Sequence, residues 1–195
     1  MGCNDQYQHI DYQMHFPRGE TNTYYNGQVN CEHTVPQSLF DKEEPMRSDV
    51  HHLRPAWKDA NSARSNYPFT EIPDEDVYKW YYLDYIRTKQ PAKDLDNWSR
   101  VLKGVKPDYQ YEWEPHVVSR GTIARCVMYF FTMYEDYMYQ LEKVGDINLF
   151  LKWNDAYPPS DWDMTRNDNA EEWQGNRNPF VDHPELCERA YQDML

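Results

Sequence analysis

The hydrophobic pattern is strongest towards the C-terminus. Ile123, Val127, Phe130, Phe131, Tyr134 and Met138 recur at three- and four-residue spacing, which predicts a core-facing helix over Arg120–Val144, with Gly145 as its stop. A second helix is predicted over Ile147–Tyr157, carrying Leu149, Phe150 and Trp153 and closed by Pro158-Pro159. A third runs over Asp161–Trp173, with Ser160 or Asp161 as its N-cap. Gln174–Pro179 reads as a loop and Pro184–Met194 as a short terminal helix.

The first half alternates more than it repeats. Val29–Val35 reads as a short strand stopped by Pro36, Gln37–Arg47 as a charged loop, and Ser48–Leu53 as a second strand. Pro55 then suits the first position of a helix through Asn66, because its missing N–H is not needed there. Residues 70–90 are acidic and aromatic and mix strand or helix with loop; Lys89–Pro107 has no clear pattern; Tyr109–Pro115 alternates as an extended segment does. Residues 1–28 read mostly as loop, with a strand start at Tyr24-Tyr25 and a turn at Asn26-Gly27. Without an internal repeat or a composition break, residues 1–195 read as one α+β domain, largely helical.

Composition changes this picture in three ways. A mean hydropathy of -1.03 with 39% apolar residues would suit a disordered chain, but 16% aromatic residues supply enough area for a core. No apolar run approaches the roughly 18 residues of a membrane span. The net charge of -13 argues globally against a nucleic-acid partner, yet residues 46–66 hold Arg47, Arg54, Lys58 and Arg64 against Asp49 and Asp59, a local +2. The four cysteines, Cys3, Cys31, Cys126 and Cys187, contain no CxxC and allow three full pairings. Disulfides would place the chain in an oxidising compartment and buried thiols in a reducing one. No signal-peptide pattern is read at Met1-Gly2-Cys3, and Gln6 weakens a myristoylation reading.

Candidate chemistry concentrates in Val29–Phe69. Glu32 and His33 are neighbours on a predicted strand and so point to opposite faces, which suits a carboxylate that holds a cation and an imidazole that takes a proton from water. Asn61, on the following helix, offers an amide oxygen. One carboxylate, one amide and waters form a hard-oxygen set for magnesium, where zinc would prefer nitrogen or sulfur. Arg64 shares the helical face of Asn61 and serves either to clamp a phosphate or to pair with a carboxylate. His51-His52 either flanks a strand or carries a phosphatase-like metal site.

The ordered blocks EHTVPQS, SDVHHLRP and NSARSNYPF, followed by RGTIAR at Arg120–Arg125, WNDAYPPSDWDMTRN from Trp153 and QGNRNPF ending at Phe180, resemble the endonuclease I family of ββα-metal (His-Me finger) nucleases, its secreted bacterial branch in particular. The resemblance implies a ββα-metal element at about 29–69, with Glu32 and Asn61 as metal ligands and His33 as general base. Some members place a phosphate-contacting arginine in a loop that is short here, so Arg47 stands as its substitute, with Arg64 as a second candidate. The implied activity is hydrolysis of DNA, and of RNA as well, with little sequence preference, using Mg2+ (or Ca2+ or Mn2+) and leaving 5′-phosphate and 3′-hydroxyl ends. A monomer outside the cytoplasm, secreted or periplasmic, with no membrane partner and at least one disulfide through Cys31 or Cys126, completes the expectation. RGTIAR and QGNRNPF either bring Arg120, Arg125 or Arg177 to substrate or anchor helices. The alternatives are a catalytically weak interaction module and a different metal-dependent phosphoesterase.

Overall fold

Strand β1 (Val29–His33) pairs antiparallel with β2 (Leu53–Trp57), Glu32 opposite Arg54 and Cys31 opposite Pro55. The computed structural model describes residues 29–103 and 111–194; the readings for residues 1–28, for Cys3 and for the start of Tyr109–Pro115 lie outside them. Thr34 N–H donates to the His52 carbonyl at 2.9 Å, so the even-numbered positions of β1 are hydrogen-bonded pairs and Cys31–Pro55 is a non-bonded one. Pro55 therefore sits inside a strand without removing a ladder bond, and does not open the helix. Helix α1 begins only at Lys58 and ends at Arg64.

The second strand also starts later than its sequence suggests. Met46–Ser48 and Val50–His52 are single 3-10 turns, and the Asp49 carboxylate accepts the His51 N–H at 3.0 Å. A short acid that bonds the backbone just ahead of it holds the chain in a turn and out of a ladder.

A four-stranded antiparallel sheet, in the order β4-β3-β5-β6, is built from β3 (Val77–Tyr82), β4 (Tyr85–Arg87), β5 (Ser99–Lys103) and β6 (Tyr111–Glu114). The Phe69 backbone knits this sheet to the helices through bridges to Trp113 and Gly145. Tyr81, Val101 and Trp113 turn one sheet face to the core.

Helix α2 (Arg120–Met133) runs through the centre, and it is buried nearly all round, not along one stripe. It stops eleven residues short of the predicted Val144; Tyr134 leaves the helix at φ -122° and Glu135–Lys143 continue as 3-10 turns. Continuing would have placed Glu135 and Asp136 against the negative end of the helix. Helices α3 (Ile147–Ala156) and α4 (Asp161–Gln174) match their predicted spans closely. Ser160 caps α4 in a reciprocal capping box with Asp163. The predicted loop before Pro179 gives way to α5 (Pro179–Asp182), and α6 (Leu186–Tyr191) follows. The fold is mixed α+β with helix exceeding strand, as the sequence implies. No helix of the described residues is long and apolar enough to cross a membrane.

Candidate active site

Because α1 follows β2 directly, it folds back beside the ribbon, and its first turn carries Asp59 where the helix dipole favours an acid. Asn61 donates from Nδ2 to the Cys31 carbonyl of β1 at 3.3 Å. That bond fixes the amide so that Oδ1 remains an acceptor, one to which no described residue donates. Glu32 and Asn61 line the same cleft, about 530 Å³ of space partly continuous with solvent, whose walls include Phe69, Trp113 and Ile123.

Arg64 holds the Glu32 carboxylate at 2.9 Å. Its guanidinium also donates to the carbonyls of His33 (3.1 Å) and Thr34 (2.7 Å) and lies 4.6 Å from the Phe69 ring centroid. At 3% exposure it is a buried anchor that ties α1 to the end of β1. Burial pushes the Glu32 carboxyl up to about 7, with Arg64 pulling the other way. Glu32 is thus a carboxylate with one cationic partner and no other donor among the described residues.

His33, the last residue of β1, is not part of the cleft lining. Its Nε2 lies 3.0 Å from the Arg47 carbonyl, which can only accept, so the neutral ring carries its proton on Nε2. The lone pair is then on Nδ1, where the Gln37 amide donates at 3.3 Å. Desolvation lowers the His33 pKa, the Arg47 carbonyl opposes this, and the charges of Arg47 and Arg64 add to the lowering. A neutral imidazole with a defined tautomer is what a proton acceptor requires. Gln37 was not singled out from the sequence, although it lies in the same block, four residues after His33.

Arg47 is exposed, and its side chain makes no ion pair with a described residue. The basic island of residues 46–66 does not survive as a surface, because Arg54 and Arg64 are both buried. His51 and His52 are buried as well, with Nε2 of each at a carbonyl, Asn176 at 3.1 Å and Met46 at 2.7 Å. They cannot meet a substrate, which removes the phosphatase-like reading of that pair. No disulfide joins the three described cysteines to one another: Cys31 is exposed, Cys187 is buried in the core, and buried Cys126 accepts from Arg54 at 2.9 Å, while Cys3 lies outside the described residues.

The later blocks form a polar lattice that meets the cleft at Thr122 and Ile123. Arg120 pairs with Glu114, and Gly121 approaches Tyr157 so closely that a Cβ would lie 2.0 Å from its carbonyl oxygen. Thr122 donates to Asp163 at 2.7 Å, and Arg125 reaches Asn154, the Tyr157 carbonyl and Asp163. Arg177 joins Asp168, Glu171 and Asp182. Arg120 anchors α2 to β6, Arg125 and Arg177 anchor helices to one another, and Arg177 does not line the cleft.

Fold and cleft define a class: an α+β protein in which a β-β-α unit sets a carboxylate and an amide at a partly apolar cleft, beside a neutral imidazole. The family is shown by comparison. The Endonuclease I family model matches residues 3–185, and the chain belongs to that family. It is 31% identical over 181 residues to the extracellular ribonuclease of Bacillus amyloliquefaciens, covering 85% of this chain and 54% of that protein. It is 25% identical over 176 residues to Endonuclease-1 of Buchnera aphidicola subsp. Baizongia pistaciae (90% and 60%), and 28% over 160 residues to an extracellular deoxyribonuclease of Aeromonas hydrophila (80% and 56%). The chain spans little more than half the length of these relatives.

Proposed function

We propose that this protein is a divalent-metal-dependent endonuclease that hydrolyses phosphodiester bonds in DNA and RNA with little sequence preference, acts outside the cytoplasm, and uses its β-β-α unit as a ββα-metal (His-Me finger) motif. The observation that carries the reading is the pairing of Glu32 and Asn61 on one cleft wall with His33 adjoining on the same strand, in a chain of the endonuclease I family.

Family membership suggests a divalent ion, and the donor chemistry fits one. No group of three or more His, Cys, Asp or Glu that could hold a metal occurs among the described residues, which disfavours a zinc-type cage. A single carboxylate with an amide oxygen suits a hard cation that keeps several waters, such as Mg2+. Glu32 and Asn61 would hold it, with Arg64 positioning the Glu32 carboxylate. When bound, the ion supplies positive charge that stabilises the phosphate and the leaving oxygen. The protein's own groups carry the remaining work. The phosphodiester lies across the end of β1, the attacking water takes the place of the Gln37 amide at His33 Nδ1 and gives its proton there, and the Arg47 carbonyl holds Nε2–H and with it the ring. Arg47 itself presents an exposed cation beside His33 to the phosphate. Attack at phosphorus with departure of the 3′ oxygen leaves 5′-phosphate and 3′-hydroxyl ends.

Digestion of plasmid DNA and of a structureless RNA, with Mg2+ and with excess chelator, tests the proposal. Both polymers should be degraded only with the metal. Degradation that persists in chelator, or a protein inert towards both polymers at every divalent ion tried, overturns it.

A further inference from the structure

The sheet carries a recognition feature that the nuclease chemistry does not use. Residues 77–103 hold six cations, Lys79, Arg87, Lys89, Lys93, Arg100 and Lys103, against three acids, Asp84, Asp94 and Asp96: a balance of +3 in a chain of -13. Arg100 is engaged by Asp74 and Glu114. Two of the lysines instead surround an aromatic ring. A bulge in β3 falls at Tyr78, which is 43% exposed, and the ammonium groups of Lys79 and Lys103 lie 5.4 and 5.0 Å from its ring centroid. Bulges re-aim a side chain out of the regular alternation.

This cluster is continuous with the cleft. Lys103 pairs across the sheet with Tyr111, so both lie on one face. Tyr111 stacks on Tyr67, centroids 4.9 Å apart and planes within 15°. Two residues further along the same face of β6, Trp113 lines the cleft beside Phe69. Partly buried Tyr67 and Tyr111 therefore link exposed Tyr78, with its two ammonium groups, to the cleft wall, where Phe69 and Trp113 are themselves almost fully buried, so that Tyr78 offers the ring face open to a base and the others lead inward from it.

We propose that this strip docks a single-stranded segment of nucleic acid and leads it to the Glu32–Asn61 cleft; the inference rests on the nuclease reading above. Unpaired bases offer ring faces that stack on aromatic side chains without regard to sequence, while their phosphates need cations. A duplex hides those faces. The acidic remainder of the surface repels any polyanion, so the lysine pair at Tyr78 marks where one can settle.

The test measures binding of a fluorescent oligothymidylate to the His33→Ala protein, alone and combined with Tyr78→Ala, Lys103→Ala or Lys103→Arg, alongside cleavage of long single strands by the otherwise unaltered protein. Tyr78→Ala should weaken single-strand binding about tenfold. Lys103→Ala should lower the slope of log affinity against log salt by about 0.7, the value of one phosphate contact on a single strand, and Lys103→Arg should keep it. Binding of a blunt duplex should change by less than about twofold. If the variants lose thermal stability but bind the oligonucleotide as the parent does, the lysines only cover Tyr78 and the proposal is wrong. Equal losses on single strand and duplex also overturn it. If the parent cleaves DNA yet Tyr78→Ala and Lys103→Ala bind and cut single strands like it, the strip fails and the nuclease reading stands. If the parent binds oligothymidylate through these residues but cleaves nothing, the strip stands and the nuclease reading falls.

Discussion

Asp163 and Glu32 are both carboxylates paired with a buried arginine, yet they are supplied with donors very differently. Asp163 receives Thr122 Oγ1, the Ser160 N–H and the Ser160 hydroxyl, besides the Arg125 guanidinium at 3.6 Å. Glu32 has Arg64. Burial is the largest influence on each and pushes both upward, but the donors around Asp163, Arg125 foremost, bring it below the usual carboxylate range, whereas Glu32 is left near 7. The lattice around α2, α3 and α4 is supplied from within: Asp163 has three hydrogen-bond donors besides its arginine, and Arg125 reaches Asn154 and the Tyr157 carbonyl. The β-β-α unit keeps a carboxylate with one cationic partner, an amide oxygen to which no described residue donates, and an imidazole lone pair that takes a 3.3 Å bond from Gln37. Polar groups of one kind hold the fold; those of the other kind are available to solutes.

The largest effect that would sharpen this contrast is on rate. His33→Ala should reduce single-turnover cleavage about 10²- to 10⁴-fold, as loss of a general base does, while Mg2+ affinity stays near that of the parent. Glu32→Gln keeps an acceptor for Arg64 but should abolish the Mg2+-dependent rise in melting temperature. Abolished Mg2+ binding in His33→Ala, followed by calorimetry, would make the imidazole a ligand and break the division of roles.

Next in size is the lattice. Asp163→Ala leaves Arg125, 1% exposed, without its carboxylate and should cost about 3–5 kcal/mol by urea denaturation. The surviving folded fraction should cleave at the parent's specific rate. A stable Asp163→Ala protein with lost activity would show that the lattice takes part in the chemistry.

Acid should act unequally on the two regions. His52 is fully enclosed, and desolvation lowers its pKa from 6.5 to about 4 against the pull of the Met46 carbonyl. A depressed histidine contributes stability above its unfolded pKa, and this is lost as pH falls from 6.5 towards 4, about 3 kcal/mol at most. His51 and His33 are lowered too and add in the same direction. Glu32, raised from 4.5 to about 7, has the opposite slope: its contribution is present below 4.5 and lost as pH rises to 7. Glu114, also raised by burial, adds to the slope of Glu32, so the histidine share is isolated by His52→Phe, which should lose less stability than the parent between pH 6.5 and 4.5; denaturation midpoints at the two pH values measure the difference.

The smallest effect belongs to the lattice's rim. Arg177 is partly exposed with three acids about it, and Arg177→Ala should cost no more than about 1 kcal/mol and leave cleavage unchanged.

Much of the lattice was legible in the sequence because its signals are local. Ser160 stands among the N-cap candidates the sequence offers, and Pro158-Pro159 separates α3 from α4 as read. The β-β-α unit was legible in its residues but less so in its boundaries. Asp49 turns the chain where alternation suggested a strand, and whether Pro55 belongs to a helix start or to a non-bonded strand pair depends on a partner strand 24 positions away. The four-stranded sheet was the least legible. Its turns use left-handed Leu83 and Asp94 in place of glycine, and its core face alternates with tyrosines and lysines that local pattern cannot assign. That Arg54 and Arg64 would be buried was invisible as well, since a charge count has no depth.

Pro55 has a further consequence at the ribbon's outer side. In a non-bonded pair the backbone groups of a residue point away from the partner strand, so the missing N–H of Pro55 faces outward along the outer edge of β2, where Arg166 already takes the Leu53 carbonyl at 3.0 Å. A foreign strand laid there would meet a gap in the donor row at the ribbon's middle. The residue that left the internal ladder intact thus makes the edge a poor template for self-association, guarding against aggregation through the same short ribbon that carries Glu32 and His33.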